Sequence, residues 1–211
     1  GIGRKGEFVP SQEEIDKVLL LVNYRLVEID QSTGTVFLPK TGMALDLGGI
    51  AKGYAVDKAI AILKAQGIQS ALINAGGDVR VIGKRPDGNP WRIGVQHPRN
   101  QDAMIAKLSL TDWDTMETSG DYQRFITKDG IRYSHILDPR TGRQPRQLNS
   151  VTMVLNNSAD GDIFSTAFFV LGPARTLELI KKFPGVDVIM VTVDGKVIVS
   201  PGLEGKIENG S

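Results

Sequence analysis

The sequence contains no cysteine and only two histidines, His97 and His135. Without thiols the chain cannot form a disulfide, a zinc–thiolate site or an iron–sulfur cluster, and it has no cysteine nucleophile. Two histidines argue against a metal centre built from several imidazole ligands. A chain without cysteine is compatible with oxidising and reducing compartments alike, so the composition leaves the compartment open.

The sequence also lacks an excess of either charge and any long apolar run. Its 25 Lys and Arg residues balance 24 Asp and Glu residues, which leaves a net charge of +1. This balance argues against a general nucleic-acid binder and against a strongly basic membrane-surface protein. No stretch approaches the roughly 18 apolar residues of a membrane-spanning helix. The 211 residues, 41% of them hydrophobic, suffice for one domain whose core needs no metal or disulfide.

The first residues read like the interior of a longer protein. Residues 1–6 include no methionine and no apolar stretch of the kind found in secretory signal peptides. We therefore expect a further segment upstream of Gly1.

Several pairs of β-prone runs are separated by turn residues, which indicates antiparallel hairpins. Asp129-Gly130 separates two such runs, and Asp194-Gly195 separates two more; Asp-Gly between β-prone runs is among the strongest short-range hairpin signals. Further strands are predicted over residues 24–29, 35–38, 43–47, 70–74, 79–82, 91–96 and 105–110.

Helix signals occur in three places. Ser11 and Glu14 form a capping box at the start of the first helix. Apolar residues at three- and four-residue spacing predict a second helix over residues 50–66. Ser158 is the expected N-cap of a third helix, and Pro173 begins another directly after it. Strands outnumber helices, so the predicted fold class is α+β: a mostly antiparallel sheet with a few packed helices.

A glycine pair, Gly48-Gly49, lies between a predicted strand and the second helix. A helix N-terminus presents free N–H groups and the positive end of the helix dipole, which favours a bound phosphate, and Lys52 adds a full positive charge there. The segment matches neither the P-loop nor the dinucleotide-binding pattern. The alternative is a turn that needs glycine for its backbone angles, followed by a solvated lysine.

Two further glycine-containing segments have the composition of binding loops and of ordinary turns. Gly76-Gly77 lies between two predicted strands, and Thr118-Ser119-Gly120 precedes another. Their hydroxyl and N–H groups could hold a phosphate or the polar edge of a ring, and turn chemistry explains both segments equally well.

Three side chains have the chemistry of a catalytic or metal site. His135 can take up a proton near neutral pH, although a single histidine is also commonly structural. Asp162 and Thr166 are four residues apart, so they share one helical face and could offer oxygens to a hard cation. Asp160 competes with Asp162 for that role. Alternatively, both acids only complement the helix dipole.

Six segments in their order along the chain resemble the ApbE family, the FAD:protein FMN transferases: LDLGGIAKGYAVDKA, NAGGDV, PWRIGVQHP, ETSGDYQRF, YSHILDPRTGRQP and ADGDIFSTAFFVLG. The resemblance runs from about Gly1 to about Ser200. It implies an ApbE-like (T-fold-like) α+β architecture in which residues 1–211 form one domain, the C-terminal two-thirds of the usual family length.

The resemblance implies a Mg²⁺-dependent enzyme that transfers FMN from FAD to a Thr or Ser hydroxyl of a target flavoprotein and releases AMP. Two alternatives remain open: a Mg²⁺-dependent FAD pyrophosphatase, and a non-catalytic flavin-binding module or fragment. The implied partners are FAD and acceptor subunits of sodium-pumping NADH:quinone oxidoreductase or Rnf-type complexes, with no nucleic acid. The implied location is the periplasmic face of a bacterial cytoplasmic membrane, with any lipid anchor upstream of this chain.

The resemblance also implies roles for individual residues. The metal ligands would be Asp162, Thr166 and the backbone carbonyl of Gly49. The catalytic residues would be His135, as the base for the acceptor hydroxyl, and Lys52, at the FAD phosphates. The cofactor-binding set is Asp46, Gly49, Lys52, Gly76, Gly77, Thr118, Ser119, Gly120, His135 and Ile136.

Overall fold

The computed structural model describes residues 8–210, in which short strands outnumber helices. The helices are α1 (Gln12–Leu19), α2 (Ala51–Ala65), α3 (Ser158–Leu171) and α4 (Pro173–Leu179). The strands are β1 (Glu28–Asp30), β2 (Thr35–Phe37), β3 (Ala71–Ala75), β4 (Asp78–Ile82), β5 (Trp91–His97), β6 (Asn100–Leu110), β7 (Thr115–Gly120), β8 (Phe125–Lys128), β9 (Ile131–Ser134), β10 (Leu148–Leu155), β11 (Asp187–Thr192), β12 (Val197–Val199) and β13 (Ile207–Asn209). Every strand pairing is antiparallel among these residues, which confirms the predicted α+β class.

A six-stranded sheet in the order β12-β11-β10-β7-β4-β3 forms the centre of the fold. All eight residues of β10 are buried, because other layers cover both faces of the sheet. On one face the core side chains include Met153 and Phe169 of α3. On the other face they include Val154 and Leu108 of the three-stranded sheet β13-β6-β5. The central sheet is thus the middle of three layers, and its helix-bearing face carries the polar cluster described below.

Several local predictions are confirmed. In the capping box, Glu14 N–H donates to Ser11 Oγ at 3.2 Å and Ser11 N–H donates to Glu14 Oε2 at 2.8 Å. The second helix lies where the periodicity places it. The hairpins at Asp129-Gly130 and Asp194-Gly195 both form. Within residues 8–210, none of the helices has the length and apolarity needed to cross a bilayer.

Other local predictions are wrong. Residues 43–47 form no strand; Leu45 and Leu47 are exposed, and this segment pairs with no strand in the described part of the chain. The N-cap of α3 is Asn157 rather than Ser158: Asp160 N–H donates to Asn157 Oδ1 at 2.8 Å, while Ser158 lies buried in the first turn.

Two central strands, β7 and β10, were not predicted. The residues of β7 were interpreted as a polar segment preceding a strand, because hydroxyls and an acid are typical of turns. All six pair with β10, and two of them also pair with β4 on the other side of the strand. Burial within the sheet overrides their local preference.

Helices α2 and α3 cross at very short range. A Cβ atom at Gly53 would overlap the backbone carbonyl of Ser158. The Asp57 carboxylate also accepts from the first N–H groups of α3, those of Ser158 at 3.1 Å and Ala159 at 3.0 Å. The start of α3 is therefore fixed against the first turns of α2.

We expect Gly53→Ala to destabilise the protein by about 1–3 kcal/mol or more, because the added methyl group meets backbone rather than a movable side chain. Helix propensity alone acts in the opposite direction, since alanine is better than glycine in a helix interior by about 1 kcal/mol. Chemical denaturation measures the sum. An equal or higher stability of the variant would show that the two helices are not in close contact at this glycine.

Candidate active site

The ammonium group of Lys52, in the first turn of α2, lies between two buried carboxylates. Its Nζ donates to Asp162 Oδ1 of α3 at 3.0 Å and to Asp78 Oδ2 of β4. Asp78 is 1% exposed and Asp162 is 2% exposed. The other oxygen of Asp162 accepts from the Gly53 N–H at 3.2 Å. One positive and two negative side chains from three elements thus meet at the start of α2.

The two carboxylates keep Lys52 protonated. Burial by itself would lower the pKa of the Lys52 ammonium, but the hydrogen bonds and charges of Asp78 and Asp162 outweigh burial and raise its pKa above 10.5. Lys52 is therefore positively charged at neutral pH, and 39% of its side-chain surface is exposed to solvent.

The predicted metal ligands lie close together beside this ion pair. A Cβ at Gly49 would lie 3.7 Å from Thr166 Oγ1, so the glycine turn packs on that threonine. Thr166 Oγ1 lies 3.1 Å from Ser119 Oγ. A carboxylate, a hydroxyl and a backbone carbonyl are the hard oxygen donors that Mg²⁺ prefers. These residues therefore fit the cation in their chemistry.

The structure also separates the two competing acids. Asp160 is exposed in the first turn of α3, whereas Asp162 faces Lys52. Among residues 8–210, no group of three or more His, Cys, Asp or Glu side chains is arranged to hold a metal. A metal bound here would therefore depend on a mixed donor set that includes Asp162, Thr166 and backbone.

The glycine pair lies just before α2, whose N-cap residue, Ile50, makes no capping hydrogen bond through its side chain. Asp46 is exposed, and its Oδ1 accepts from the Gly48 N–H at 2.7 Å, which shapes the turn. The Gly53 N–H of the first helical turn is instead satisfied by Asp162. The positive end of the α2 dipole thus faces the Asp162 carboxylate and the Lys52 ammonium.

Gly76 and Gly77 form the two-residue turn of the β3–β4 hairpin. Both have positive φ, 66° and 104°, as this hairpin geometry requires. The Gly77 N–H donates to Asn74 Oδ1 at 2.9 Å. The turn directly precedes Asp78 and so sets the position of the carboxylate that holds Lys52.

The three residues predicted at 118–120 do not act as a unit. Ser119 faces α3, where its Oγ lies 2.8 Å from Ser165 Oγ. Thr118 points to the opposite face of the sheet, as strand alternation requires, and its Oγ1 lies 2.9 Å from Thr152 Oγ1. Gly120 packs tightly under the ring of Tyr122. The structure brings only Ser119 to the cluster, and binding roles for Thr118 and Gly120 stay predictions.

His135 follows β9 and is exposed, while its neighbour Ile136 is buried in the core with 5% exposure. The imidazole Nδ1 lies 3.1 Å from the Arg124 carbonyl oxygen. Partial desolvation of the ring by the surrounding protein lowers the pKa of His135 below 6.5. The hydrogen bond to the Arg124 carbonyl acts in the opposite direction, and the positive charges of Arg124 and Lys52 lower the pKa further. The imidazole is therefore neutral near pH 7 and lies within the electrostatic range of Lys52.

The sequence model of the ApbE family matches residues 1–190. The chain belongs to the ApbE family. It is 38% identical over 201 residues to a FAD:protein FMN transferase of Klebsiella pneumoniae (strain 342), covering 94% of this chain and 61% of the relative. It is 32% identical over 220 residues to one from Treponema pallidum (strain Nichols), covering 98% and 61%.

Solved ApbE structures have the same fold. The crystal structure of the ApbE protein from Thermotoga maritima superposes with a TM-score of 0.87 at 37% identity, covering 94% of this chain and 64% of that one. The apo flavinyl transferase ApbE of Pseudomonas stutzeri gives 0.79 at 34% identity, covering 97% and 63%. The chain thus spans just over three-fifths of the length of these ApbE proteins.

Two buried acids of this ApbE chain were missed by the sequence analysis. Asp78 holds Lys52, and Glu117 of β7 has no exposed surface. Each is an acid at an inward position of a strand whose flanking residues are largely buried. That pattern is a usable signal, because a charged side chain is rarely buried without a partner.

Proposed function

We propose that this protein transfers FMN from FAD to a Thr or Ser hydroxyl of an acceptor flavoprotein and releases AMP. The observation that carries the proposal is the Lys52 ammonium held at the start of α2 beside Asp162 and Thr166. A cation and oxygen donors for a metal, at the positive end of a helix dipole, suit a pyrophosphate substrate. The transferase names of the Klebsiella and Treponema relatives support the same reaction.

Asp162, Thr166 and the Gly49 carbonyl would hold Mg²⁺. Bound there, the cation would neutralise charge on the pyrophosphate and polarise its phosphorus. The residues of the chain supply the remaining interactions. Lys52, whose side chain is partly exposed, binds a phosphate oxygen, and the dipole of α2 stabilises the charge that develops as AMP leaves. Asp78 keeps Lys52 in place during these events.

His135 has the tautomer that a general base requires. The Arg124 carbonyl can only accept, so the Nδ1 contact at 3.1 Å places the proton of the neutral ring on Nδ1. Nε2 is then free to accept the proton of the acceptor hydroxyl. As the hydroxyl oxygen bonds to the FMN-side phosphorus, the bond from that phosphorus to the bridging oxygen breaks, and AMP leaves with that oxygen.

The acceptor and the location belong to the same proposal. The resemblance supports acceptor subunits of sodium-pumping NADH:quinone oxidoreductase or Rnf-type complexes, and action on the periplasmic face of a bacterial cytoplasmic membrane through a lipid-anchored protein. Fractionation of the native cells, followed by detection of the full protein, tests the location. Recovery in the cytoplasmic fraction alone contradicts it.

The reaction is tested by mass spectrometry of a candidate acceptor subunit after incubation with the full protein, FAD and Mg²⁺. We expect the acceptor to gain one FMN, and an acceptor whose target Thr is replaced by Ala to gain none. Free FMN and AMP with an unmodified acceptor would instead indicate a pyrophosphatase. Bound FAD without any product would indicate a flavin-binding module.

A further inference from the structure

Glu117 is a completely buried acid to which the proposed reaction assigns no role. It lies on β7, where Val79 pairs with Met116 and Arg80 with Thr115. Continuing this register by one residue brings Asp78 directly opposite Glu117, a spacing at which side chains are in contact range. Two buried carboxyl groups therefore lie side by side, and the Lys52 ammonium donates to Asp78 and not to Glu117.

The contacts of Thr115 favour a proton on Glu117. Thr115 Oγ1 is 2.8 Å from the Val79 carbonyl oxygen and 2.5 Å from Glu117 Oε1. Both oxygens lie where they can accept from Thr115, which has a single hydroxyl proton and can serve only one of them at a time. A neutral Glu117, which can itself donate to Thr115, allows both contacts to be hydrogen bonds at once, whereas a charged Glu117 allows only one. Ser158 Oγ, 2.8 Å from Thr115 Oγ1, completes this polar group.

The charges around Glu117 agree with a neutral acid. Burial and the negative charge of Asp78 raise the pKa of Glu117 to about 9, and its Oε2 has no hydrogen-bond partner among residues 8–210. The charged groups that surround it from α2, β4 and α3 pair with one another: Lys52 with Asp78 and Asp162, and Arg80 with Asp57. From β10 the residue in register is the uncharged Met153.

We propose that Glu117 is a positioning residue that acts through Asp78. As a neutral carboxylic acid it fills the space beside the Asp78 carboxylate without adding a charge, so that Lys52 stays directed towards a phosphate ligand. An ionised Glu117 would place a second negative charge beside Asp78 and draw the Lys52 ammonium inward. The inference rests on the proposed function only in taking FAD as the ligand of Lys52.

The protonation of Glu117 is tested by thermal unfolding of the wild-type protein and Glu117→Gln between pH 5 and pH 9, without FAD or Mg²⁺. Glu117 has a pKa of about 9 in the folded protein, against an ordinary glutamate pKa of 4.5. Between these two pH values the folded state binds one more proton than the unfolded state, so the stability of the wild type falls as pH rises. The amide does not titrate. We expect the Tm of Glu117→Gln minus that of the wild type to increase steadily with pH.

The exposed Glu204 provides the matched control, because Glu204→Gln makes the same chemical change in solvent. Its Tm difference from the wild type should stay nearly constant across the same range. A pH-independent difference for Glu117→Gln as well would overturn the neutral-acid assignment.

The positioning role is tested by FAD affinity in the presence of Mg²⁺, measured on the full protein by flavin fluorescence. We expect the wild-type affinity for FAD to weaken as pH approaches 9, where Glu117 ionises while Lys52, whose pKa is raised above 10.5, is still charged. Glu117→Gln should not lose FAD affinity over this range. At pH 7, Glu117→Gln should bind FAD about tenfold or more tightly than Glu117→Ala, because the amide fills the same space.

The outcomes separate the two proposals. The same alkaline loss in Glu117→Gln as in the wild type would overturn the positioning role, even if FMN transfer is observed. FAD binding with the expected alkaline behaviour but without transfer would instead overturn the proposed reaction and leave the role of Glu117 standing. If Glu117→Ala does not fold, the comparison of the wild type with Glu117→Gln decides the matter alone.

Discussion

Asp162→Ala is expected to lower FAD turnover by about a hundredfold or more. This carboxylate accepts from the Lys52 ammonium at 3.0 Å and from the Gly53 N–H at 3.2 Å, and it is the charged member of the proposed donor set for Mg²⁺. Its loss therefore removes a proposed metal ligand and one of the two carboxylates that hold Lys52. The measurements are steady-state turnover and the rise in Tm on adding Mg²⁺, which should disappear together.

The control for this experiment lies two residues away on the same helix. Asp160 is exposed and its backbone N–H bonds to the cap residue Asn157, so Asp160→Ala should keep most of the turnover and most of the Mg²⁺-dependent stabilisation. Greater sensitivity at Asp160 than at Asp162 would show that the metal ligand has been assigned to the wrong acid.

His135→Asn is expected to reduce FMN transfer by about 10²–10⁴-fold, the usual contribution of a general base. The base must be unprotonated, so wild-type activity should rise with pH through the His135 pKa. Partial desolvation and the nearby positive charges lower that pKa below 6.5, which places the rise in activity on the acid side of pH 6.5. Binding of FAD with Mg²⁺ should survive in the variant, since Asp162, Thr166 and Lys52 are unchanged.

His97→Asn is the matched control, because it makes the same substitution in the other histidine. His97 Nδ1 accepts from the backbone N–H groups of Arg99 at 3.1 Å and Asn100 at 3.0 Å, so its role lies in a turn. His97→Asn should therefore retain the rise in transfer activity with pH that the wild type shows on the acid side of 6.5. An unchanged transfer rate in His135→Asn would leave His135 without a role as the base.

The sequence predicted those features that depend on neighbouring residues. The capping box of Ser11 and Glu14, the Asp-Gly hairpins and the periodic helix α2 each reflect interactions over a few positions, and all are present. The oxygen-donor pair Asp162 and Thr166 was visible for the same reason, because i and i+4 share a helical face.

The features that the sequence did not predict depend on pairing between residues far apart in the chain. Asp78 meets Lys52 from 26 residues away and Asp162 meets it from 110 residues away. The partner of Glu117 is set by the register between β4 and β7. A shift of one residue in that register would turn the acid to the opposite face of the sheet. Local patterns carry no information about such a register, so the polar residues of β7 resembled a turn.

The two helices at the site cap one another. Asp57 of α2 accepts from the first two N–H groups of α3, and Asp162 of α3 accepts from the Gly53 N–H in the first turn of α2. Neither helix start can fray without depriving the other of a hydrogen-bond partner. A ligand that orders the start of one helix therefore also orders the start of the other. A second ligand that binds there then loses less conformational entropy. A phosphate bound at the start of α2 and a cation held by α3 would be linked through these hydrogen bonds, so each is expected to bind more tightly once the other is present.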